Sequence, residues 1–303
     1  MNFAAPHGDK LRALLRNHKL PAGDRPGVQT AIERYEAWIE ELRRIEGAGE
    51  NLVEPMVEAL NRYKLSIDLD LIFDSRNDFL YRQKGQLKLD NTVLEEFMPW
   101  LVRRVLAGRL AERELTIGPA NAFAQLRFDS DLRSVTHGGN MAVRSKDHDF
   151  VLARPLYLKA SHRRDFEESQ EARTHLAYVA AEIKTNLDKT MFQEASATAH
   201  DLKIALPGSR YFLLCEWLDM IPISSAATAI EQVIVLRKAR RLRADVRGQF
   251  ATLDGRTANR AAFERHLTEH PFTPDVFQHF LSQLERLLGD DGDDRRILAR
   301  GWF

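Results

Sequence analysis

One stretch of the chain, Tyr178–Lys203, reads YVAAEIKTNLDKTMFQEASATAHDLK and contains two acid–x–lysine triplets. In the first, Glu182 and Lys184 flank Ile183 where an apolar run should finish. Residues two apart in a strand share a face and lie roughly 6.5 Å apart along the chain. Glu182 and Lys184 then point together, and Ile183 points into the packing. In the second triplet, Asp201-Leu202-Lys203, the surrounding period is helical, so the two charged groups diverge. Only the first can build a site. By spacing alone, a strand-end salt bridge explains it equally well.

A second element adds chemistry. Lys146-Asp147-His148-Asp149 precedes the apolar run Phe150–Lys159, FVLARPLYLK. An acid at the entry of one strand can approach an acid on a neighbouring strand. Close carboxylates repel unless one is protonated or a divalent cation lies between them. Mg²⁺ takes one or two carboxylates together with waters and phosphate oxygens. A lysine on the same face can orient or deprotonate the attacking water and steady the scissile phosphate. Two acids and a lysine at two strand ends are the minimal set for metal-assisted phosphodiester hydrolysis. A charged hairpin turn is the plainer reading of Lys146–Asp149.

These groups need strands and a supporting helix. The periodicity predicts strands over Phe150–Lys159, His175–Lys184 and Tyr211–Trp217, with Pro155 marking an edge or a bulge. It predicts a helix over Thr190–Leu206, opened by a capping box of Thr190 and Gln193, with an apolar stripe rich in alanine. Phe123–Phe128 and Leu132–Thr136 read as extended, followed by a turn at His137-Gly138-Gly139-Asn140. Before them the chain is mainly helical: residues 7–19, Val28–Glu46, Val53–Tyr63 and Val93–Leu106, broken by PAGDRPG at Pro21–Gly27. Leu65–Phe73, LSIDLDLIF, alternates and reads as a strand. Helices follow over Ala226–Val246, Arg256–His270 and Pro274–Leu288, and the acidic run Gly289–Asp294 reads as a solvated loop. The fold class is α/β, with a mixed central sheet of four or more strands.

Composition bounds the rest. The 303 residues suffice for one large domain or two modest ones, and Lys+Arg and Asp+Glu number 44 each. Zero net charge argues against indiscriminate coating of nucleic acid but leaves room for a local basic groove. The single cysteine, Cys215, permits no internal disulfide, which suits a reducing cytoplasm. There is no membrane-spanning apolar run and no signal peptide at the start. Leu236–Gly248 reads as a basic helix whose Arg237, Lys238, Arg240 and Arg241 could contact phosphates, followed by Arg243 and Arg247. Arg163 and Arg164, between the two site strands, could also reach a groove. His266-Leu267-Thr268-Glu269-His270 has the order of an inverted zinc-peptidase motif, but Pro271 follows at once, and a solvated helix end fits better. No phosphate-binding glycine loop is present.

The order of acid-bearing turn, hairpin, strand with Glu182-Ile183-Lys184, small-residue helix and strand resembles the PD-(D/E)xK nuclease core. The wording EIKTNLDKTMFQEASATAHDLK, with KDHDFVLARPLYLKAS upstream, is similar to the Bpu-ten-I-like restriction endonucleases, heteromeric type II enzymes that cut asymmetric sites. The resemblance is strongest over Arg144–Leu206. It implies a PD-(D/E)xK restriction-endonuclease-like core at 111–303 and a helical N-terminal region at 1–110 for DNA contact or a subunit interface. It implies Mg²⁺-dependent, site-specific hydrolysis of double-stranded DNA that leaves 5′-phosphate and 3′-hydroxyl ends. Asp149 would be the first metal acid, Glu182 the second and Lys184 the catalytic lysine. His148-Asp149 stands where the family has proline-aspartate, which leaves Asp147 as a rival. Gln193 and Glu194 are possible auxiliary groups, and Glu114 a possible upstream helical glutamate. One such site cuts one strand, so the resemblance implies a second nuclease subunit, or a homodimer.

Overall fold

The computed structural model describes residues 4–111, 113–133, 136–289 and 298. The chain opens with helices α1 (Pro6–Arg16), α2 (Arg25–Arg44), α3 (Val53–Leu65), α4 (Asp78–Leu87) and α5 (Thr92–Val105), then the single turn α6 (Ala107–Leu110). Strands β1 (Thr116–Phe128), β2 (Met141–Ala160) and β3 (Gln170–Leu187) follow as antiparallel neighbours. Helix α7 (Lys189–Ala205) crosses over to β4 (Arg210–Leu218), parallel to β3, and β5 (Gln232–Arg240) adds a further parallel strand. The sheet order is β1-β2-β3-β4-β5. The chain continues through α8 (Ala244–Gly248), α9 (Leu253–Glu269) and α10 (Pro274–Gly289).

The centre of the sheet is covered on both faces, which is why its strands read as apolar runs rather than clean alternations. On one face Phe150, Ile183 and Phe212 share a core with Phe97 of α5 and with Phe277 and Phe280 of α10. On the other face Val151, Ala180, Leu213 and Cys215 pack on α7 through Phe192, Ala195, Ala199 and Leu202. The alanines let the helix lie close to the strands. The cap of α7 is Asp188, whose Oδ1 accepts from Met191 N at 2.9 Å, rather than Thr190. A carboxylate at that position satisfies the orphan amide and also complements the helix dipole.

Strand β2 bends where the catalytic acid was expected. Gly118 pairs with Val151 and Ala120 with His148, so Pro119 alone faces both Asp149 and Phe150. Proline offers no N–H to the ladder, and a bulge at such a position kinks the strand and re-aims its side chains. The first part of β2 therefore curls over the outer part of β3. Gln170 Nε2 donates to Met141 O at 2.8 Å, and Ser145 Oγ lies 3.3 Å from Thr174 Oγ1. Gly138 sits in the fold-back at φ +60°, where a Cβ would lie 2.6 Å from Ala160 O. Only glycine suits both the angle and the space. Pro155 pairs with His175 on β3, while β1 stops at Ala153, so the proline occupies a stretch of edge as its chemistry requires.

Several elements differ from the sequence expectation. Lys146–Asp149 lies inside β2 rather than in a turn before it. Leu65–Phe73 is no strand: after α3 the chain continues as a π-helix, Ser66–Phe73, closed by Asp74 N donating to Leu69 O at 2.8 Å. Ile67, Leu69, Leu71, Ile72 and Phe73 are all buried, so its alternation marks burial on several sides rather than a pleat. Gln232–Arg240 is the strand β5 rather than part of a long basic helix; its Val233-Ile234-Val235 core favours an extended backbone. Helix α4 lies in a stretch that carried no prediction. Leu132 and Arg133 form a bend, and residues 134–135, with the acidic run after Gly289, lie outside the described residues.

Candidate active site

Pairing between β2 and β3 ends at Phe150–Ala181, and from there β3 continues with β4. Asp149 sits at this parting. Its Oδ2 accepts from Ile183 N at 2.8 Å. The carboxylate thus fills the ladder position that the departing strand leaves open. Glu182 and Lys184 flank that amide on the α7 side of the sheet. Lys184 Nζ lies 2.5 Å from Glu182 Oε1, and Tyr211 Oη donates to Glu182 Oε2 at 2.7 Å.

Burial pushes the Asp149 carboxyl above its ordinary value, and the charge of Glu182 adds to this; the Ile183 amide and the charges of Lys88 and Lys184 oppose it. Burial acts downward on the Lys184 ammonium. The hydrogen bond and charge of Glu182, with Asp149 and Glu194 behind, hold it above the usual lysine value. Burial, then the charge and hydrogen bond of Glu182, raise the Tyr211 phenol far above its ordinary range, so it remains a donor. Burial lowers His148, whose ring meets that of Tyr211 edge-on at 6.1 Å.

The site opens into a cleft of about 970 Å³ between α4 and the ends of the central strands. Arg82, Lys84 and Lys88 line one wall, and Arg241 and Arg247 line another. At its floor is a buried ion cluster. Lys64 Nζ lies 2.7 Å from Asp68 Oδ2 and 2.9 Å from Glu216 Oε1. Arg237 Nε donates to Glu216 Oε2 at 3.2 Å, and Arg237 Nη1 donates to His270 O at 2.8 Å. The guanidinium lies 4.0 Å from the Phe272 ring centroid. Three buried charges, Lys64, Glu216 and Arg237, and the partly buried Asp68 balance one another in sign and stand in for the water that burial removes.

The structure brings Asp149, Glu182 and Lys184 together and leaves other candidates apart. Asp147 is exposed and accepts from Asn121 Nδ2 at 2.9 Å. Gln193 and Glu194 are exposed on α7; the charge of Glu194 reaches Lys184. Arg237 is a correction: it is buried in the ion cluster, because an arginine pointing inward from a covered strand must find carboxylates, and it offers no phosphate-facing surface. Lys238 pairs with Asp275, Arg240 reaches Met220 O at 3.5 Å, and Arg241 pairs with Asp219 at 2.7 Å. Arg163 is engaged by Asp165 at 2.8 Å. Glu114 lies in the irregular segment before β1, so it is no helical glutamate. The helical carboxylate that reaches Asp149 is Glu95 of α5, buried and raised by that burial first and by the Asp149 charge second. Lys88 Nζ lies 3.7 Å from it. Its signal was two adjacent acids, Glu95 and Glu96, inside an otherwise apolar helix. His266 stacks on Trp217 at 4.6 Å between centroids and so serves packing.

The donor set suits one kind of metal. Among the described residues no group of three or more His, Cys, Asp or Glu side chains could hold an ion by protein ligands alone. Asp149 and Glu182 offer hard oxygens, two carboxylates, with room in the cleft for water and phosphate. That is the preference of Mg²⁺ and unlike the four-ligand cage of structural zinc.

No curated protein is significantly similar to this chain. Among solved structures, one described as the native BbvCI A2B2 tetramer superposes with a TM-score of 0.57 at 20% identity, covering 89% of this chain and 100% of that one. At this identity the likeness is one of fold. No described helix is long and apolar enough to cross a membrane. Residues 86–303, from the end of α4 through the sheet and beyond, match the family of the Bpu10I restriction endonuclease, and the chain belongs to that family.

Proposed function

We propose that this chain is a type II restriction endonuclease subunit that hydrolyses double-stranded DNA with Mg²⁺ at Asp149 and Glu182. The observation that carries the reading is the convergence of three groups at the parting of β2 and β3: Asp149 on the Ile183 amide at 2.8 Å, and Lys184 on Glu182 at 2.5 Å. Bound there, Mg²⁺ supplies charge stabilisation at the scissile phosphate and acidifies water. The chain's own residues do the rest. Asp149 is anchored by a backbone donor, so its free oxygen has a fixed direction. Glu182 is held between two donors. Lys184 holds an ammonium beside the carboxylates, where it steadies a phosphate oxygen that would otherwise be repelled by them. The cleft cations Arg82, Lys84, Lys88, Arg241 and Arg247 give the DNA backbone its path.

One such site cuts one strand. The similar BbvCI structure is described as an A2B2 tetramer, so the partner we propose is a second, non-identical nuclease subunit acting at an asymmetric sequence, in the cytoplasm. The test is digestion of supercoiled plasmid by the purified chain, alone and with its partner, over a Mg²⁺ series. Discrete linear bands with both subunits, nicking by one alone and no turnover in chelator are expected. DNA binding without metal-dependent cleavage under any of these conditions overturns the proposal.

A further inference from the structure

Tyr211 stands on β4, outside the acid–x–lysine motif, yet it touches the site. Its neighbour across the ladder on β3 is Ala180, and the neighbour of Glu182 is Leu213. Tyr211 is therefore two residues back along β4, on the same face, and reaches diagonally to Glu182. The ring is 1% exposed, lies within the core under α7, and meets His148 edge-on. A side chain so enclosed has few alternative positions, and its hydroxyl is 2.7 Å from Glu182 Oε2.

The two oxygens of Glu182 are thus addressed by different donors. Lys184 takes Oε1 and Tyr211 takes Oε2. Each carboxylate oxygen has two lone pairs, so one donor on each leaves a lone pair of each free for a further partner. The two donors also fix the plane of the carboxylate. They differ in charge: an ammonium partly cancels the negative charge that attracts a cation, whereas a phenol orients the group and leaves its charge intact. Lys184 is itself needed at the phosphate, so an orienting contact independent of it keeps Glu182 aligned while Lys184 works.

We propose that Tyr211 is a positioning residue for Glu182, holding its carboxylate in the orientation that binds the divalent cation. This rests on Glu182 being a metal ligand, as proposed above. Partners that orient metal-binding carboxylates and histidines typically contribute about 10–100-fold in metal affinity or activity.

The test is Tyr211→Phe, which keeps the ring and removes the donor. Mn²⁺ binding to the DNA-free protein, followed by the electron paramagnetic resonance of free Mn²⁺, should weaken about tenfold or more. In cleavage assays the half-saturating Mg²⁺ should rise by a similar factor, with KM for DNA unchanged and activity recovering at high Mg²⁺. Unchanged Mn²⁺ affinity in folded Tyr211→Phe overturns the proposal. Glu182→Ala separates the two readings: if it binds Mn²⁺ as tightly as the wild type, the site itself is wrong; if it loses binding and Tyr211→Phe does not, only Tyr211 is wrong. Should Tyr211→Phe misfold, fluorotyrosine at position 211 keeps the hydroxyl. Its fluorine resonance should move when Mg²⁺ is added, and a resonance unmoved in protein that binds Mg²⁺ overturns the proposal.

Discussion

Asp149 Oδ2 accepts the amide hydrogen of Ile183 at 2.8 Å, so the acid proposed as the first metal ligand is fastened to the residue between Glu182 and Lys184. A side chain of one strand thereby replaces a ladder bond to the next, just where the two separate. The site is built into the sheet rather than placed on its surface.

Under the proposed function, this anchoring sets Asp149 apart from its exposed neighbour Asp147. Asp149→Ala is expected to reduce cleavage by about a thousandfold or more, on the scale of losing a main electrostatic group, with DNA binding retained. Asp147→Ala, which removes an exposed side chain bonded to Asn121, is expected to change the rate by less than about threefold. Single-turnover cleavage of a labelled duplex measures both. The reverse ranking would assign the metal to Asp147.

The ion cluster beneath the cleft is a matter of stability. Lys64→Ala leaves the buried Glu216 and the partly buried Asp68 with Arg237 as their remaining cation in this cluster. Breaking a buried pair from one side typically costs about 3–5 kcal/mol. The double variant Lys64→Met with Glu216→Leu should cost less than the sum of the two single variants, because their charges are coupled. Urea unfolding measures all three, and additive losses below about 1 kcal/mol each would show that the charges do not stabilise one another.

The N-terminal helix gives the chain a pH-sensitive joint. His7 is fully buried, with Nδ1 3.0 Å from Thr92 Oγ1 and Nε2 2.7 Å from the Tyr63 hydroxyl. Burial, reinforced by the charge of Lys64, lowers it from 6.5 to about 3. Between those values the unfolded chain binds the proton and the folded chain does not. Stability from His7 is therefore complete above about pH 6.5 and falls with pH by up to about 1.4 kcal/mol per unit. Glu96, raised by burial, acts in the opposite sense just above the ordinary glutamate value, where rising pH removes its contribution. Melting curves of wild type and His7→Gln from pH 7 to pH 4 should converge as the wild type loses this advantage. Parallel curves would place the proton elsewhere.

Sequence alone determined what depends on local period and residue type. The period of two around Glu182-Ile183-Lys184 put acid and lysine on one face, and the alanines of α7 predicted its close packing on the sheet. The same logic failed where burial is not one-sided. Ser66–Phe73 alternates because it is buried on several sides, not because it is pleated. Arg237 looked like surface charge because sequence records the cation but not the two carboxylates, Glu216 and Asp68, that meet it.

Tertiary structure alone decided the partners. Glu95 lies 54 residues before Asp149 in sequence, and only the packing of α5 beside the sheet brings their charges within reach. Asp149 reaches the Ile183 amide beside a bulge opposite Pro119, a register event between two strands, while Asp147 stays exposed. Tyr211 meets Glu182 because β4 lies parallel to β3 after the α7 crossover. The physical reason is common to all three. Short-range sequence fixes the direction of a side chain relative to its own backbone, whereas contact with another element depends on how far that element is shifted, and a shift of one residue would turn the same groups away.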